Sequence, residues 1–183
     1  MQKRLILDRQ LVSITINRLC QQLIENHDDF SNSVLIGLQP RGVYLAERIQ
    51  KCLKETAEID AKIGCLDITF FRDDFRRRDK PIKANKTEIP FLVEDQKVIL
   101  IDDVLFTGRS VRAALDAMNA YGRPAQVELL ALIDRKYTRD LPIQADYTGK
   151  HVNSMISQKV IVDWDGVEGA TDDNVWLVSQ EDV

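Results

Sequence analysis

Histidine is scarce: His27 and His151 are the only two in 183 residues. So separated a pair is a poor basis for a His-ligated metal or for a Ser/Cys-His nucleophilic system. Both are expected at the surface. The three cysteines, Cys20, Cys52 and Cys65, are odd in number and widely spaced, which suits neither a disulfide framework nor a paired zinc motif. All three are expected as small apolar core residues. No stretch approaches the ~18 consecutive apolar residues of a membrane-spanning helix. The opening Met1-Gln2-Lys3-Arg4 leads into only a short apolar run, unlike a secretion signal, so a cytoplasmic protein is expected. Positive charge is not in excess either. A net charge of −4 excludes a protein that coats nucleic acid non-specifically, because that affinity comes from many Lys and Arg contacts to phosphate. A local basic face remains open. With no internal repeat and no low-complexity stretch, 44 % hydrophobic content supplies one continuous core, and residues 1–183 are expected to form a single domain.

From Asp8 to Asn26 apolar residues recur at steps of three and four (Val12, Ile16, Leu19, Cys20, Leu23, Ile24), which predicts an amphipathic helix with Asp8 as N-cap. Ser33 to Leu38 is an apolar run rich in β-formers, and Gly42 to Lys54 returns to helical spacing. Lys62 to Phe71 alternates as a strand does. After it, Asp73 to Glu88 holds Arg76-Arg77-Arg78, other charges and little apolar material, as expected of a long mobile loop. Lys97 to Ile101 is a fully apolar strand, Ser110 to Ala120 an Ala-rich helix, and Gln126 to Ile133 another buried strand. Val160-Ile161-Val162 and Val175 to Val178 are expected to add edge strands. Alternating buried strands and helices predict an α/β fold with a parallel sheet covered on both faces, and ligands at the carboxyl ends of its strands.

The most informative segment runs from Val98 to Ser110, Val-Ile-Leu-Ile-Asp-Asp-Val-Leu-Phe-Thr-Gly-Arg-Ser. Four apolar residues make a buried strand, Asp102 and Asp103 emerge at its carboxyl end, and a turn with Thr107, Gly108 and Ser110 opens a helix. Backbone N–H groups at such a turn, with the two hydroxyls, form an anion cradle for a phosphate monoester. Carboxylates touching that phosphate would repel it, so the pair is suited to accept hydrogen bonds from sugar hydroxyls. A sugar phosphate is the implied ligand. A phospho-acceptor or phosphatase aspartate would also want a nearby Lys and dispersed acidic partners, which the sequence does not place. One acid alone could simply end a strand and cap a helix; the whole segment is not explained that way.

This segment closely resembles the motif by which type I phosphoribosyltransferases bind phosphoribosyl pyrophosphate (PRPP). The resemblance implies that fold: a mostly parallel central sheet flanked by helices, with a small hood and a flexible loop. It also implies that Asp102 and Asp103 hold the ribose hydroxyls and that Phe106 or Thr107 to Ser110 hold the 5-phosphate, so that Val104, Leu105, Phe106, Thr107, Gly108, Arg109 and Ser110 together line the PRPP site. Gln39-Pro40-Arg41-Gly42 falls where the family places its pyrophosphate loop. Arg41 would meet the leaving group, and Gly42 would open a helix whose N-terminus faces the same charge.

Further stretches narrow the resemblance to PyrR-type uracil phosphoribosyltransferases and pyrimidine-operon regulators. They are Leu66 to Asp74, Val104 to Ala114, and Leu141-Pro142-Ile143 through Ala145-Asp146-Tyr147 to Gly149-Lys150. The resemblance implies Mg²⁺ held chiefly by PRPP and water near Asp102 and Asp103, uracil as the base, and UMP or UTP as effector. It also implies pyrimidine-operon messenger RNA as a partner, and a homodimer or higher homo-oligomer. Arg72 borders the flexible loop, about 73–88, whose Arg76, Arg77 and Arg78 would reach the pyrophosphate. Ile133, Asp134 and Arg135 open the hood, about 134–150, over the base, and Arg18 and Lys150 contribute to the RNA face. The run Asp134 to Ile143 is one residue longer than the family's usual hood, and Gln144 and Asn26 stand where basic residues occur in relatives. Two classes stay open: a catalytic uracil phosphoribosyltransferase, with a phosphoribosyltransferase for another base as its variant, and an RNA-binding nucleotide sensor with little catalysis.

Overall fold

The computed structural model describes residues 2–73 and 84–179. In chain order the elements are β1 (Gln2–Leu7), α1 (Arg9–His27), β2 (Ser33–Leu38), α2 (Gly42–Ala57), β3 (Lys62–Leu66), a 3₁₀ turn (Thr69–Phe71), β4 (Lys97–Leu105), α3 (Arg109–Met118), β5 (Gln126–Lys136), β6 (Tyr147–Asn153), β7 (Gln158–Asp163) and β8 (Asn174–Ser179).

Five strands in the order β3-β2-β4-β5-β6 form the main sheet, and every pairing in it is parallel. Period-two alternation splits its side chains between two cores. Leu35, Ile99, Ile101, Leu130 and Leu132 pack under α1 and α2. Val34, Ile36, Val98, Leu100 and Leu129 pack with Val111, Ala114 and Ala117 of α3 on the other face. Asp8 caps α1 as its sequence position suggests, its carboxylate accepting from the Leu11 N–H at 2.8 Å.

Several expectations are corrected. β7 and β8 do not extend the main sheet; with β1 they form a separate antiparallel sheet in the order β1-β8-β7. β3 ends at Leu66 rather than Phe71, because the Asp67 carboxylate accepts from the N–H and hydroxyl of Thr69 and turns the chain into the 3₁₀ segment. β4 continues through both acids to Leu105, with Asp102 paired to Ala131 and Leu105 to Asp134. His27 is buried: its Nδ1 meets the Ser33 hydroxyl at 2.8 Å and its Nε2 the Glu128 carboxylate at 2.9 Å. Cys20 and Cys52 are core residues, but Cys65 is only partly buried, near the edge of the sheet, with its thiol directed at the Lys86 carbonyl.

Of the expected mobile loop, residues 74–83 lie outside the described residues, Arg76, Arg77 and Arg78 among them. Its final part is tied down. Glu88 and Cys65 exchange backbone hydrogen bonds at 2.8 and 2.9 Å, and Asp67 accepts from the Asn85 N–H at 3.0 Å.

Candidate active site

At the carboxyl ends of β4 and β5 lies a cavity of about 360 Å³. Asp102 and the continuous run 104–111 form one side, Arg72 and Arg135 flank it, and Lys159, Val160 and Ile161 of β7 contribute the opposite side. The cover therefore comes from the small antiparallel sheet as well as from the expected hood residues. Of residues 134–150, the part 147–150 belongs to strand β6 of the main sheet.

Gly108 occupies the N-cap position of α3 with φ +89°, a left-handed conformation that residues with a Cβ rarely adopt. Its N-cap glycine supplies no capping side chain, and apart from a long 3.4 Å contact of the Arg109 N–H with the Thr107 hydroxyl the first-turn N–H groups, which have no intrahelical acceptor, are available to an anion. α2 begins in the same way, with Arg41 at its N-cap and no side-chain cap. The Gln39–Pro40 peptide just before it is cis.

Gly42 lets α2 start directly against β4: a Cβ there would lie 2.3 Å from the Ile101 carbonyl oxygen. Because that neighbour is backbone, Gly42→Ala must displace α2 and Arg41 with it. We expect it to cost about 1–3 kcal/mol of stability, as overpacking does, and to raise the KM for PRPP. Denaturant unfolding and initial rates check the two halves.

Arg41 reaches the acid pair from α2, with Nε at 3.2 Å from Asp103 Oδ2. Its other nitrogens donate to the Val162 carbonyl and to Glu168 at 3.2 Å. Asp102 accepts the Asp103 N–H at 3.0 Å. Desolvation pushes the Asp102 carboxyl well above the usual range, and the neighbouring Asp103 adds to this. Asp103 is raised as well by burial, with Arg41 opposing the rise. Such a pair gains from hydroxyl donors or a cation that water does not supply there.

Arg72 Nη1 donates to the Ser110 hydroxyl at 3.1 Å, which places the base of the charged loop beside the start of α3. Arg109 borders the cavity and pairs with Asp73 and Asp140. The hood candidates separate. Ile133 has its side chain in the core, leaving only its backbone for recognition. Arg135 stacks its guanidinium 3.8 Å from the Phe106 ring centroid and donates to Ser154 and the Met155 carbonyl. Asp134 receives Arg139 and faces His151 Nδ1 at 3.5 Å.

The RNA candidates lie apart from the cavity. Arg18 donates to the Thr148 and Gly149 carbonyls of β6, one strand position from the exposed Lys150. Asn26 donates to the Tyr147 hydroxyl at 3.1 Å. Sequence reasoning missed Lys159, Val160 and Arg139. The β7 residues carried only an edge-strand signal, and Arg139 sat in a charged run without a marked role.

The family model of the phosphoribosyl transferase domain matches residues 4–165. The chain belongs to the phosphoribosyltransferase family. Within this family it is 41 % identical over 170 residues to the bifunctional protein PyrR of Bacillus subtilis, covering 91 % of this chain and 93 % of that one. It is also 41 % identical over 182 residues to the PyrR protein of Streptococcus mutans, covering 100 % and 99 %. The PyrR-type resemblance is thereby upheld over nearly the whole chain. In structure it is similar to the hypoxanthine phosphoribosyltransferase of Trypanosoma cruzi, with a TM-score of 0.73 at 14 % identity and 97 % of each chain covered. That likeness establishes the type I phosphoribosyltransferase fold. No helix among the described residues is long and apolar enough to cross a membrane.

Proposed function

We propose that the chain transfers the phosphoribosyl group of PRPP to uracil, giving UMP and pyrophosphate, and that UMP or UTP in the same cavity promotes binding to a stem-loop of pyrimidine-operon messenger RNA. The observation that carries the reading is the meeting, in a PyrR-type chain, of Asp102 and the N-terminal turn of α3 on one cavity at the end of β4, with the adjacent Asp103 held by Arg41 from the start of α2. The turn 106–110 takes the 5-phosphate on the N–H groups at the start of α3 and the Thr107 and Ser110 hydroxyls. Asp102 and Asp103 accept from the ribose hydroxyls.

In the transfer, the bond from the anomeric carbon to the pyrophosphate oxygen breaks, the bond from uracil nitrogen to that carbon forms, and the proton of that nitrogen leaves to the pyrophosphate or to water. Charge gathers on the departing pyrophosphate, where Arg41 and the N-terminus of α2 stabilise it. Val160 and the other β7 residues, with Arg135, shield the reacting centre from water.

Among the described residues no three His, Cys, Asp or Glu side chains gather to hold a metal. Two carboxylates, one of them partly neutralised by Arg41, fit a Mg²⁺ shared with substrate oxygens and water, as is usual for an ion that keeps much of its hydration. When bound there Mg²⁺ would neutralise the leaving group. Asp102 and Asp103 are the residues that would reach it, through water or ribose hydroxyls.

Steady-state rates with uracil, hypoxanthine, guanine and orotate, measured side by side, test the base assignment. Uracil should be the fastest acceptor, and faster turnover with a purine would overturn it. For RNA, filter binding to the leader of its own pyrimidine operon should tighten with UMP. Equal affinity for a scrambled RNA, or no response to UMP, would remove the regulatory half. Arg18 and Lys150 support this half, and a homodimer or higher assembly accords with the PyrR reading.

A further inference from the structure

A loop that binds phosphate through its N–H groups must turn its carbonyls elsewhere, because a C=O dipole aimed at the anion opposes binding. Both carbonyls at the start of the turn 106–110 are held from outside the cavity. The Phe106 carbonyl accepts from the Arg139 guanidinium. The Thr107 carbonyl accepts the backbone N–H groups of Asp140 at 3.1 Å and Leu141 at 3.3 Å. The Asp140 carboxylate takes Arg109 Nε at 3.1 Å. Ile143 packs so closely that a Cβ on Gly108 would come 3.2 Å from its Cδ1.

Residues 139–143 thus form a brace behind the turn. Arg139 anchors it to the sheet, since its second terminal nitrogen binds Asp134 Oδ1 on β5. Its side chain is 23 % exposed and does not line the cavity.

We propose that Arg139 is the positioning residue of the phosphate site. It draws the Phe106 carbonyl away from the bound anion and fixes the turn against β5, so that the N–H groups at the start of α3 stay aimed into the cavity. A guanidinium suits both tasks, because its planar fork serves a carbonyl and a carboxylate at once. The two backbone bonds to Thr107 persist when the side chain is removed, so the effect should be local. The role rests on the reading that this turn holds the 5-phosphate.

Calorimetric titration of UMP and of uridine, which lacks the phosphate, into wild type, Arg139→Ala and Arg139→Lys tests both levels. In Arg139→Ala the affinity for UMP should fall by about tenfold or more, with uridine affinity unchanged. Arg139→Lys should recover part of the loss, since an ammonium can still meet one of the two acceptors. A wild type that shows no preference for UMP over uridine would overturn the reading of the turn itself. A wild type that prefers UMP, beside an Arg139→Ala variant that keeps the preference in full or weakens for both ligands alike, would overturn the role of Arg139.

Discussion

Asp102→Asn should make the protein more heat-stable while removing most of its activity. The side chain sits in the cavity, desolvated and beside Asp103, so its charge is unfavourable until a ligand arrives. Asn keeps the size and can still accept the Asp103 N–H that Asp102 accepts now. It removes the charge and the acceptor-only character that ribose hydroxyls require. The loss of a charged hydrogen bond, about 1.5–3 kcal/mol, corresponds to a fall in kcat/KM of roughly 10- to 150-fold.

The stability half carries a pH signature. A carboxyl whose folded pKa lies above its unfolded value of roughly 3.9 favours folding most below that value, and loses this contribution as pH rises through the folded pKa. Asp102 is shifted in this direction. The variant's gain in melting temperature, at ~2–4 °C per kcal/mol for a chain of this size, should therefore vanish near pH ~4 and grow as the pH rises toward neutral. Calorimetric scans at the two pH values decide it. A lower melting temperature at neutral pH would mean that the acid pair is a structural element rather than a strained binding group.

Trp164→Ala should cost about 3–5 kcal/mol, as other large buried aromatic truncations do, and lower the melting temperature by roughly 6–20 °C. Trp164 is fully buried at the end of β7. The Arg48 guanidinium lies 4.6 Å from its ring centroid and forms two bonds of 2.7 Å to the Asp173 carboxylate. Asp173 in turn accepts the Asp165 N–H at 2.8 Å. This cluster joins the β7–β8 connection to α2, and hence the small sheet that covers the cavity to the helix layer of the main sheet. Trp164→Phe should be much milder, because the indole N–H is buried without a hydrogen-bond partner among the described residues. Equal losses for Ala and Phe would show that the ring's packing is not what holds the small sheet.

The main sheet was legible because its central strands are continuous apolar runs, and the turn into α3 because Thr107, Gly108 and Ser110 stand between such a run and a helix. The small sheet was less so. β1 reads Gln-Lys-Arg-Leu-Ile-Leu, with no clean alternation, and its partner β8 lies at the opposite end of the chain. β6 contains Gly149 and few apolar residues. It is an edge strand held by β5 and α1, not by its own propensity. His27 carried a usable signal: it falls four residues after Leu23 on the buried stripe of α1. Its partners Ser33 and Glu128 come from other elements and could not be paired with it by spacing. Arg139 was hidden for the same reason, since both its acceptors are set by the tertiary fold.

The most direct measurement is a calorimetric titration of PRPP into the wild-type protein, with Mg²⁺ and with excess EDTA. The account predicts one PRPP bound per chain, binding that depends on Mg²⁺, and an affinity about 10- to 150-fold weaker in Asp103→Asn, the equivalent of about 1.5–3 kcal/mol. Binding of equal strength without the metal, or affinity unchanged in the variant, would contradict the assignment of this cavity and its acid pair to the phosphoribosyl group.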